Sequence, residues 1–464
     1  MKRNGSRQVR SRPLLPPIGS PRLSSRAAMK LPSREVMTCG LLCVILSAVG
    51  MLSTRNVIRA GRSSAAPITA DPRVRQALAK VAGEAPSVTE EQIRITEIPA
   101  PTFHESVRAE HLVKLLTEAG LKVHTDPAGN VIGERAGSAK GELVLITAHL
   151  DTVFPAGTDV RVRREASRLK APGISDNGTG LATLPAIARI MRDAKIETRS
   201  SILFVADVGE EGEGNLRGVR KLVETYRKQL RYVIALDGAS IDYVTTAALA
   251  SRRVEITVTG PGGHSWSDFG VANPINALAR GVALFLKTPA PDSPRTTFNV
   301  GTIEGGTSVN SIPAKASIKV DLRSESEPEI SKLEAALRRS IQAGADEEMQ
   351  SARDHGMTTG AALSIDIKVL GLRPGGELAE NSPLLAAVQA ADDYLGNRAR
   401  IERSSTDANI PLSLGIPAVA LGAGGTSGGA HSLEEWYDPT GREIGMQRVL
   451  LTILQVAGLN PPTD

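Results

Sequence analysis

The stretch "ELVLITAHLD", residues 142–151, decides the fold. It runs through a block of apolar residues and ends on His149 and Asp151, with Leu150 between them. A near-continuous apolar run is typical of a parallel strand that is buried on both faces. Side chains two positions apart lie on the same side of a strand. We therefore predict a buried strand that carries a polar pair at its carboxyl end.

Three further runs have the same character, and helical patterns separate them. The runs are "SILFVADVGEE" (201–211), "YVIALDG" (232–238) and "PAVALGAGG" (417–425). Amphipathic segments such as "GLATLPAIARIMRDA" (180–194) and "GVRKLVETYRKQL" (218–230) lie between them. Strands that alternate with helices indicate an α/β fold with a mostly parallel central sheet and helices on both faces.

Residues 252–371 follow another pattern. Strand, helix, two strands, helix and strand come in the order βαββαβ, which is typical of a ferredoxin-like domain. A chain of 464 residues is also too long for one hydrophobic core. We predict that residues 75–251 and 372–464 form one α/β domain, interrupted by the inserted domain at 252–371.

The N-terminal 66 residues form a basic leader. They hold twelve of the 55 basic residues and one of the 50 acidic residues, and they include the apolar segment "VMTCGLLCVILSAVGML", Val36–Leu52. A basic stretch before an apolar segment is the pattern of an export signal. The segment is also nearly long enough to span a bilayer. We expect a periplasmic or secreted protein, with an uncleaved membrane anchor through residues 36–52 as the alternative.

The composition of the rest of the chain argues against a nucleic-acid partner and against metal ligation by cysteine. This part carries 49 acidic against 43 basic residues, and aromatic residues make up only 3% of the sequence. This composition speaks against a nucleic-acid partner. Both cysteines, Cys39 and Cys43, lie in the leader. Any metal ion in the body must therefore be bound by histidine and carboxylate side chains.

Polar side chains gather where the predicted parallel strands end. Ligands of open α/β sheets bind at this edge. The motifs that carry these side chains contain no lysine or arginine next to them, so the like charges need a cation among them. Histidine with carboxylates and without cysteine suits a catalytic zinc ion or a similar divalent ion. The residues are His149, Asp151, Asp176, Glu210, Glu211, Asp237 and His431.

At this point the sequence resembles a known family, the co-catalytic dinuclear zinc peptidases and amidohydrolases. That family includes carboxypeptidase G, aminoacylase, acetylornithine deacetylase, succinyl-diaminopimelate desuccinylase and the tripeptidase. Eight motifs carry the resemblance in the family's order, across roughly residues 75–460. They are "HLDTV", "GISDNGTG", "GEEGEGNLRG", "ALDG", "GPGGHSW", "VNSIP", "VDLR" and "AHSLEEW".

The resemblance implies a metal site with two divalent ions. His149 and Asp237 would bind one ion, and His431 and Glu211 would bind the other. Asp176 would bridge the two, and a cis peptide bond would follow it. Zinc is the first choice for the metal, with cobalt and manganese as alternatives.

The resemblance also implies three catalytic groups. Asp151 would accept a hydrogen bond from His149 and fix its tautomer. Glu210 would be the general base that takes a proton from the attacking water. His264, from the inserted domain, would stabilise the oxyanion. In this family the corresponding histidine often comes from the neighbouring subunit of a dimer.

Four more residues match substrate-binding positions of the family. Asn310 and Arg323 would hold polar or carboxylate groups of the substrate, since the planar guanidinium of an arginine binds a carboxylate through two bonds. For Arg323 a surface salt bridge is an equal alternative. Ser405 and Thr406 would form a wall near the metal ions.

The sequence therefore predicts a metallopeptidase or amidohydrolase that cleaves a small peptide or an N-acyl amino acid. The chain would form a homodimer through residues 252–371. Three alternatives stay open: an N-acyl-amino-acid deacylase, a non-catalytic binding protein on the same fold, and a membrane-anchored protein whose acidic loops bind calcium. The two histidines argue against calcium, which prefers oxygen ligands.

Overall fold

The computed structural model describes residues 68–357 and 362–461. The predicted leader 1–66, with its apolar segment 36–52, lies outside the described residues. Within the part that is described, no helix is both long and apolar enough to cross a membrane.

The first part of the chain begins with two helices and continues with alternating strands and helices. The elements are α1 (Pro72–Thr96), α2 (Ser106–Glu118), β1 (Lys122–Thr125), β2 (Val131–Arg135), β3 (Leu143–His149), β4 (Arg163–Glu165), β5 (Arg168–Lys170), α3 (Gly178–Asp193), β6 (Ser201–Asp207), α4 (Arg217–Tyr226), β7 (Leu230–Leu236) and β8 (Tyr243–Ala248).

The middle part contains the predicted insertion. Its elements are β9 (Ala250–Thr259), β10 (Gly263–His264), α5 (Pro274–Phe285), β11 (Thr296–Gly305), β12 (Ser311–Ile312), β13 (Lys315–Ser324), α6 (Glu327–Asp354) and β14 (Ser364–Arg373).

The last part returns to the first sheet. Its elements are β15 (Gly376–Glu377), α7 (Pro383–Leu395), β16 (Arg400–Ser404), α8 (Asn409–Ser413), β17 (Ala418–Leu421), β18 (Thr426–Gly428), β19 (Trp436–Asp438) and α9 (Arg442–Ala457).

The central sheet has the strand order β1-β2-β6-β3-β7-β17-β8-β15, and β16 also pairs with β8. The four apolar runs singled out in the sequence are the four adjacent strands β6, β3, β7 and β17, and their three pairings are parallel. Every residue of β3 and of β17 is buried. The predicted α/β fold with a mostly parallel central sheet is therefore confirmed.

Toward its edges the central sheet contains antiparallel pairings, which were not predicted from the sequence, whereas β16 pairs with β8 in parallel. On one side β1 pairs with β2 and β2 with β6; on the other side β17 pairs with β8 and β8 with β15. A second small sheet, with the order β18-β19-β5-β4, lies outside the central sheet. These strands have two to six residues and carry little periodic signal.

The insertion forms its own antiparallel sheet with the order β11-β13-β9-β14. The elements β9, α5, β11, β13, α6 and β14 give the predicted βαββαβ order, with the short ribbon β10–β12 added. The strands begin at Ala250 and end at Arg373, two residues beyond the predicted limits at either end. Helices α5 and α6 pack on one face of the sheet, and every second residue of β13 is buried there.

Local chemistry explains why α3 begins where it does. The side chain of Asn177 accepts a hydrogen bond from the backbone N–H of Gly180, as an N-cap residue does. A Cβ atom on Gly180 would lie 2.5 Å from Asn177 Oδ1 and 2.8 Å from the carbonyl oxygen of Leu236. Only glycine therefore lets this first turn approach the end of β7 so closely. The contact brings Asp176, which precedes Asn177, to the edge of the central sheet.

Candidate metal centre

The carboxyl ends of the central strands bring the predicted ligands together. His149 is the last residue of β3, and Asp237 directly follows β7. Glu211 lies in the loop after β6, and Asp176 precedes α3. His431 comes from the loop between β18 and β19, with a left-handed φ of 65° that non-glycine residues seldom adopt. All five lie at one edge of the sheet, as the sequence predicted.

One group of ligand atoms surrounds His149. Its Nε2 atom is 3.0 Å from Asp176 Oδ1 and 3.8 Å from Asp237 Oδ1. The Oδ1 atom of Asp176 is buried and accepts no hydrogen bond from the described residues. A divalent cation would fit between this buried acceptor, the ring nitrogen and the second carboxylate. The three side chains therefore fit a metal ion.

A second group surrounds His431. Its Nε2 atom lies 3.0 Å from Asp176 Oδ2 and 3.0 Å from Glu211 Oε1. Asp176 thus offers one oxygen to each group, which is the geometry of a bridging carboxylate. The atoms within each group lie within 4.8 Å of one another, so that each can share one cation.

Protons compensate the negative charge when no metal is bound. The hydrogen bonds that His431 donates to Asp176 and Glu211 raise the pKa of His431 to about 11. Burial lowers the pKa of His149, but the ion pairs with Asp176 and Asp237 outweigh burial and raise this pKa well above its usual value. The neighbouring carboxylates therefore favour the cationic form of both imidazoles. A metal ion would take the place of the proton on each Nε2 atom.

Asp151 acts differently from the prediction. The Nδ1 atom of His149 lies 3.0 Å from the backbone carbonyl oxygen of Asp151 and donates to it, whereas the Asp151 carboxylate is 3.8 Å away. That carboxylate instead accepts hydrogen bonds from the backbone N–H groups of Glu210 and Glu211, both at 3.0 Å, and from the Thr102 hydroxyl at 2.9 Å. The tautomer of His149 is fixed by the backbone, and the Asp151 side chain holds the loop that carries the two glutamates.

Glu210 is buried beside the ligands. Burial raises its pKa to about 8; Arg373 opposes this shift, and the negative charge of Glu211 adds to it. Arg373 donates from Nη1 to Glu210 Oε1 at 2.9 Å. Glu210 also lies close enough to His149 and Glu211 to share a cation with them. The negative charge of Glu210 is already paired with Arg373, whereas Glu211 faces His431. This difference favours Glu211 over Glu210 as the metal ligand.

The sequence analysis missed two buried charged residues at this site. The carboxylate of Glu435 is fully buried and accepts hydrogen bonds from the backbone N–H groups of Gly173, Ser175 and Asp176, at 2.7 to 3.0 Å. It thereby fixes the segment that carries the bridging ligand. Glu435 lies within the quoted motif "AHSLEEW", four residues after His431, so the motif could have identified it. Arg373, the other missed residue, has no such signal, because it is one arginine at the end of a strand.

The other predicted residues lie away from the ligand groups. His264 and Asn310 are both exposed and neighbours in the β10–β12 ribbon, where Ser265 donates its N–H to the Asn310 carbonyl oxygen. The Nδ1 atom of His264 accepts the N–H of Trp266 at 3.2 Å, so that in the neutral imidazole the proton is carried by Nε2. Among the described residues, no hydrogen bond or ion pair joins His264 or Asn310 to the ligand groups.

Three predicted substrate residues make internal contacts. Arg323 donates from Nε to Asp321 at 2.6 Å. The Ser405 hydroxyl accepts a hydrogen bond from Arg373 at 3.1 Å. Thr406 is buried, and its hydroxyl accepts the N–H of Ala408 at 3.1 Å. For all three, as for Asn310, substrate contact stays a prediction.

Comparison with known proteins agrees with this geometry. The model of "Peptidase family M20/M25/M40" matches residues 145–455. "Uncharacterized protein YqjE" of Bacillus subtilis is 25% identical over 355 residues, which cover 72% of this chain and 89% of that protein. A putative succinyl-diaminopimelate desuccinylase DapE of Mycobacterium tuberculosis is 24% identical over 338 residues, 71% of this chain and 88% of that protein.

A solved structure shows the same fold. The crystal structure of aminopeptidase PepT from Bacillus cereus superposes with a TM-score of 0.62 at 23% identity, covering 81% of this chain and 99% of that one. The cis peptide bond between Asp176 and Asn177, implied by the family resemblance, is present. The chain therefore belongs to peptidase family M20/M25/M40 and is an enzyme that hydrolyses peptide or amide bonds with the help of divalent metal ions.

Proposed function

We propose that the chain cleaves the amide bond of a small peptide or N-acyl amino acid that carries a free carboxylate, with two zinc ions at the site. The observation that carries this proposal is the position of Asp176, whose two oxygens lie 3.0 Å from the Nε2 atoms of His149 and His431. Asp237 and Glu211 complete the two groups. Bound divalent ions would lower the pKa of a water molecule and polarise the carbonyl of the scissile bond.

Glu210 takes the proton of the attacking water and delivers it to the leaving nitrogen. Its carboxylate is buried and lies beside the ligand groups, within reach of a water molecule held there, so it can accept the proton of that water and pass it on. The backbone of Glu210 is held by Asp151 at 3.0 Å, so that the carboxylate approaches the water from a fixed direction.

His264 stabilises the oxyanion of a neighbouring subunit. Its exposed position and its protonated Nε2 atom support this role, since a donor that faces outward can complete the site of another chain. Strand β11 ends the small sheet, and within the described part of the chain its outer edge is unpaired. An open edge of ten residues supports a homodimer through the inserted domain.

A cavity of about 270 Å³ supports the binding of a substrate carboxylate. Arg295, Arg323 and Arg403 line it, with Glu325 as the acidic residue among its lining side chains. Arg323 stands directly opposite Ser251 of β9, and Ser251 stands opposite Arg373 of β14. Neighbouring strands are about 4.8 Å apart, and Arg323 and Arg373 lie two strands apart. The cavity therefore begins about 10 Å from Arg373, the residue that contacts Glu210.

The other functions are less well supported. A calcium-binding structural protein would not need two histidines in its ligand groups. A non-catalytic binding protein would have lost a ligand or Glu210, and all six side chains are present. An N-acyl-amino-acid deacylase differs from a peptidase only in its substrate. We also propose that the leader exports the protein, on the strength of its sequence pattern alone.

Metal analysis and a substrate screen test the proposal. The purified chain is analysed for bound metal and then assayed with dipeptides, tripeptides and N-acyl amino acids, with and without a chelator. We expect about two zinc-like ions per chain and cleavage that the chelator abolishes. Absence of any transition metal after reconstitution would sink the proposal. Cleavage of N-acyl amino acids alone would make the enzyme a deacylase.

A further inference from the structure

The buried guanidinium of Arg373 makes an unusual set of contacts with Glu210. Its Nη1 atom donates to the Glu210 carboxylate oxygen Oε1 at 2.9 Å, and its Nη2 atom donates to the Glu210 backbone carbonyl oxygen. Nη1 also donates to the hydroxyl of Ser405 at 3.1 Å. Both side chains are only 6% exposed. One arginine therefore holds the side chain and the backbone of the same glutamate.

These contacts leave Glu210 with one free oxygen. Its N–H donates to Asp151, while its carbonyl oxygen and Oε1 accept from Arg373. Among the described residues Oε2 accepts no hydrogen bond. It is also not fully buried, so that a partner can reach it. A guanidinium has a rigid, planar arrangement of donors, so two bonds to one residue fix its rotamer more firmly than one bond would. Oε2 is thus held in one orientation and is left open for a further partner.

Arg373 belongs to a different sheet from the loop that it holds. It is the last residue of β14 and pairs with Ser251 in the sheet of the inserted domain. Two other basic residues of this sheet reach the same loop: Arg253 donates to the Gly212 carbonyl oxygen, and Lys319 lies 2.8 Å from Glu213. Of these three, Arg373 alone contacts the carboxylate of the general base.

We propose that Arg373 is a positioning residue: it holds Glu210 so that the free oxygen Oε2 of Glu210 faces the reacting water. Because Arg373 lies on β14, it ties this orientation to the sheet of the inserted domain. This inference rests on the proposed function, because it takes Glu210 as the general base. It adds a link between the inserted domain and the chemical step. A shift of about 1 Å in the position of a catalytic group can cost about a hundredfold in rate.

The variant Arg373→Met tests the inference. We expect kcat to fall by about 10- to 100-fold, with KM within about threefold and with the metal content unchanged. Lys319→Met is the matched control, because it removes an exposed ion pair between the same sheet and the same loop without touching Glu210. We expect its kcat to stay within about twofold of wild type.

A double mutant separates positioning from a general structural effect. In the Glu210→Gln background the general base is already lost, so adding Arg373→Met should lower kcat by less than about threefold. A drop as large as in the wild-type background would overturn the inference, and so would a normal kcat for Arg373→Met alone. Wild-type protein without hydrolytic activity would instead contradict the proposed function.

Hydrogen exchange gives a readout without turnover. In the metal-free protein, the backbone N–H groups of Glu210 and Glu211 should exchange faster in Arg373→Met than in Lys319→Met, because Arg373 no longer holds the loop. Equal exchange in the two variants would contradict the inference. If Arg373→Met does not fold, Arg373→Lys decides: it keeps the charge but not the paired donors, so a several-fold loss of kcat supports positioning and a normal kcat overturns it.

Discussion

The two regions that supply the site differ in how complete they are within one chain. The ligand groups at the strand ends of the central sheet are nearly finished: His149, Glu210 and Glu211 are buried, and both histidines lie 3.0 Å from Asp176. His264 and Asn310, at the β10–β12 ribbon, are exposed, and among the described residues neither makes a hydrogen bond or ion pair with the ligand groups. A sheet edge can hold a group of ligands by itself, whereas the role proposed for the ribbon requires the surface of a second subunit. We therefore expect substitutions in the two regions to impair metal binding and turnover in different ways.

The largest effect is expected at the residue shared by the two ligand groups. Asp176→Ala removes one ligand from each group at once, so that we expect the loss of most bound metal and a fall in activity of at least about 10⁴-fold. Elemental analysis of the purified variant and a turnover assay measure this. A variant that keeps two ions per chain would show that the carboxylate does not bridge them.

A change at Glu210 should separate metal binding from catalysis. Glu210→Gln keeps the shape of the side chain but cannot accept the proton of water, so we expect kcat to fall by about 10²- to 10⁴-fold with metal content intact. Metal loss in this variant would instead mark Glu210 as a ligand, in line with its distance from His149 and Glu211. Unchanged turnover would refute its role as the base.

His264→Ala tests whether the ribbon serves another subunit. We expect normal metal content and a loss of about 10²- to 10³-fold in kcat, the size seen when an oxyanion donor is removed. Mixing this variant with Glu210→Gln under conditions that exchange subunits should restore about one quarter of wild-type activity, because half of the dimers then contain one intact site. Failure to restore any activity would contradict a site shared between two chains.

The smallest effect concerns protons at the ligand groups. In the metal-free protein His431 has a pKa of about 11 and is protonated at neutral pH. Each bound ion must displace a proton from a histidine, so we expect the release of about two protons per chain when zinc binds at pH 7, and an apparent affinity that rises with pH. A zinc titration in weakly buffered solution measures this. Binding without proton release would contradict histidine ligation.

The same raised pKa fixes the sign of a stability effect. The folded-state pKa of His431 exceeds the ordinary value of 6.5, so its ion pairs stabilise the metal-free protein fully below about pH 6.5. This contribution is lost as the pH rises toward 11. The metal-bound protein does not carry that proton and should lack this dependence.

The position of the candidate ligands at one sheet edge and the order of the main elements were predictable because both depend on local pattern. Buried parallel strands such as β3 are near-continuous apolar runs, and the polar residues that follow β3, β6 and β7 lie at the edge where ligands bind. The antiparallel edge strands carry no such pattern. The contact between Arg373 and Glu210 depends on how one sheet lies against another, which no local pattern encodes. The hydrogen bond of His149 to a backbone carbonyl, rather than to a carboxylate, depends in the same way on coordinates.

Glu435 has a consequence for the order in which the centre can form during synthesis. It binds a segment about 260 residues earlier in the chain, and His431 lies just as far from Asp176. A nascent chain that has emerged only through the inserted domain already contains His149, Asp176, Glu211 and Asp237 but neither of these later residues. Such a chain has ligands for one ion, while the bridging segment still lacks its support. In the proposed two-ion centre, only a chain that has been translated almost to its end can therefore complete the site of the second ion.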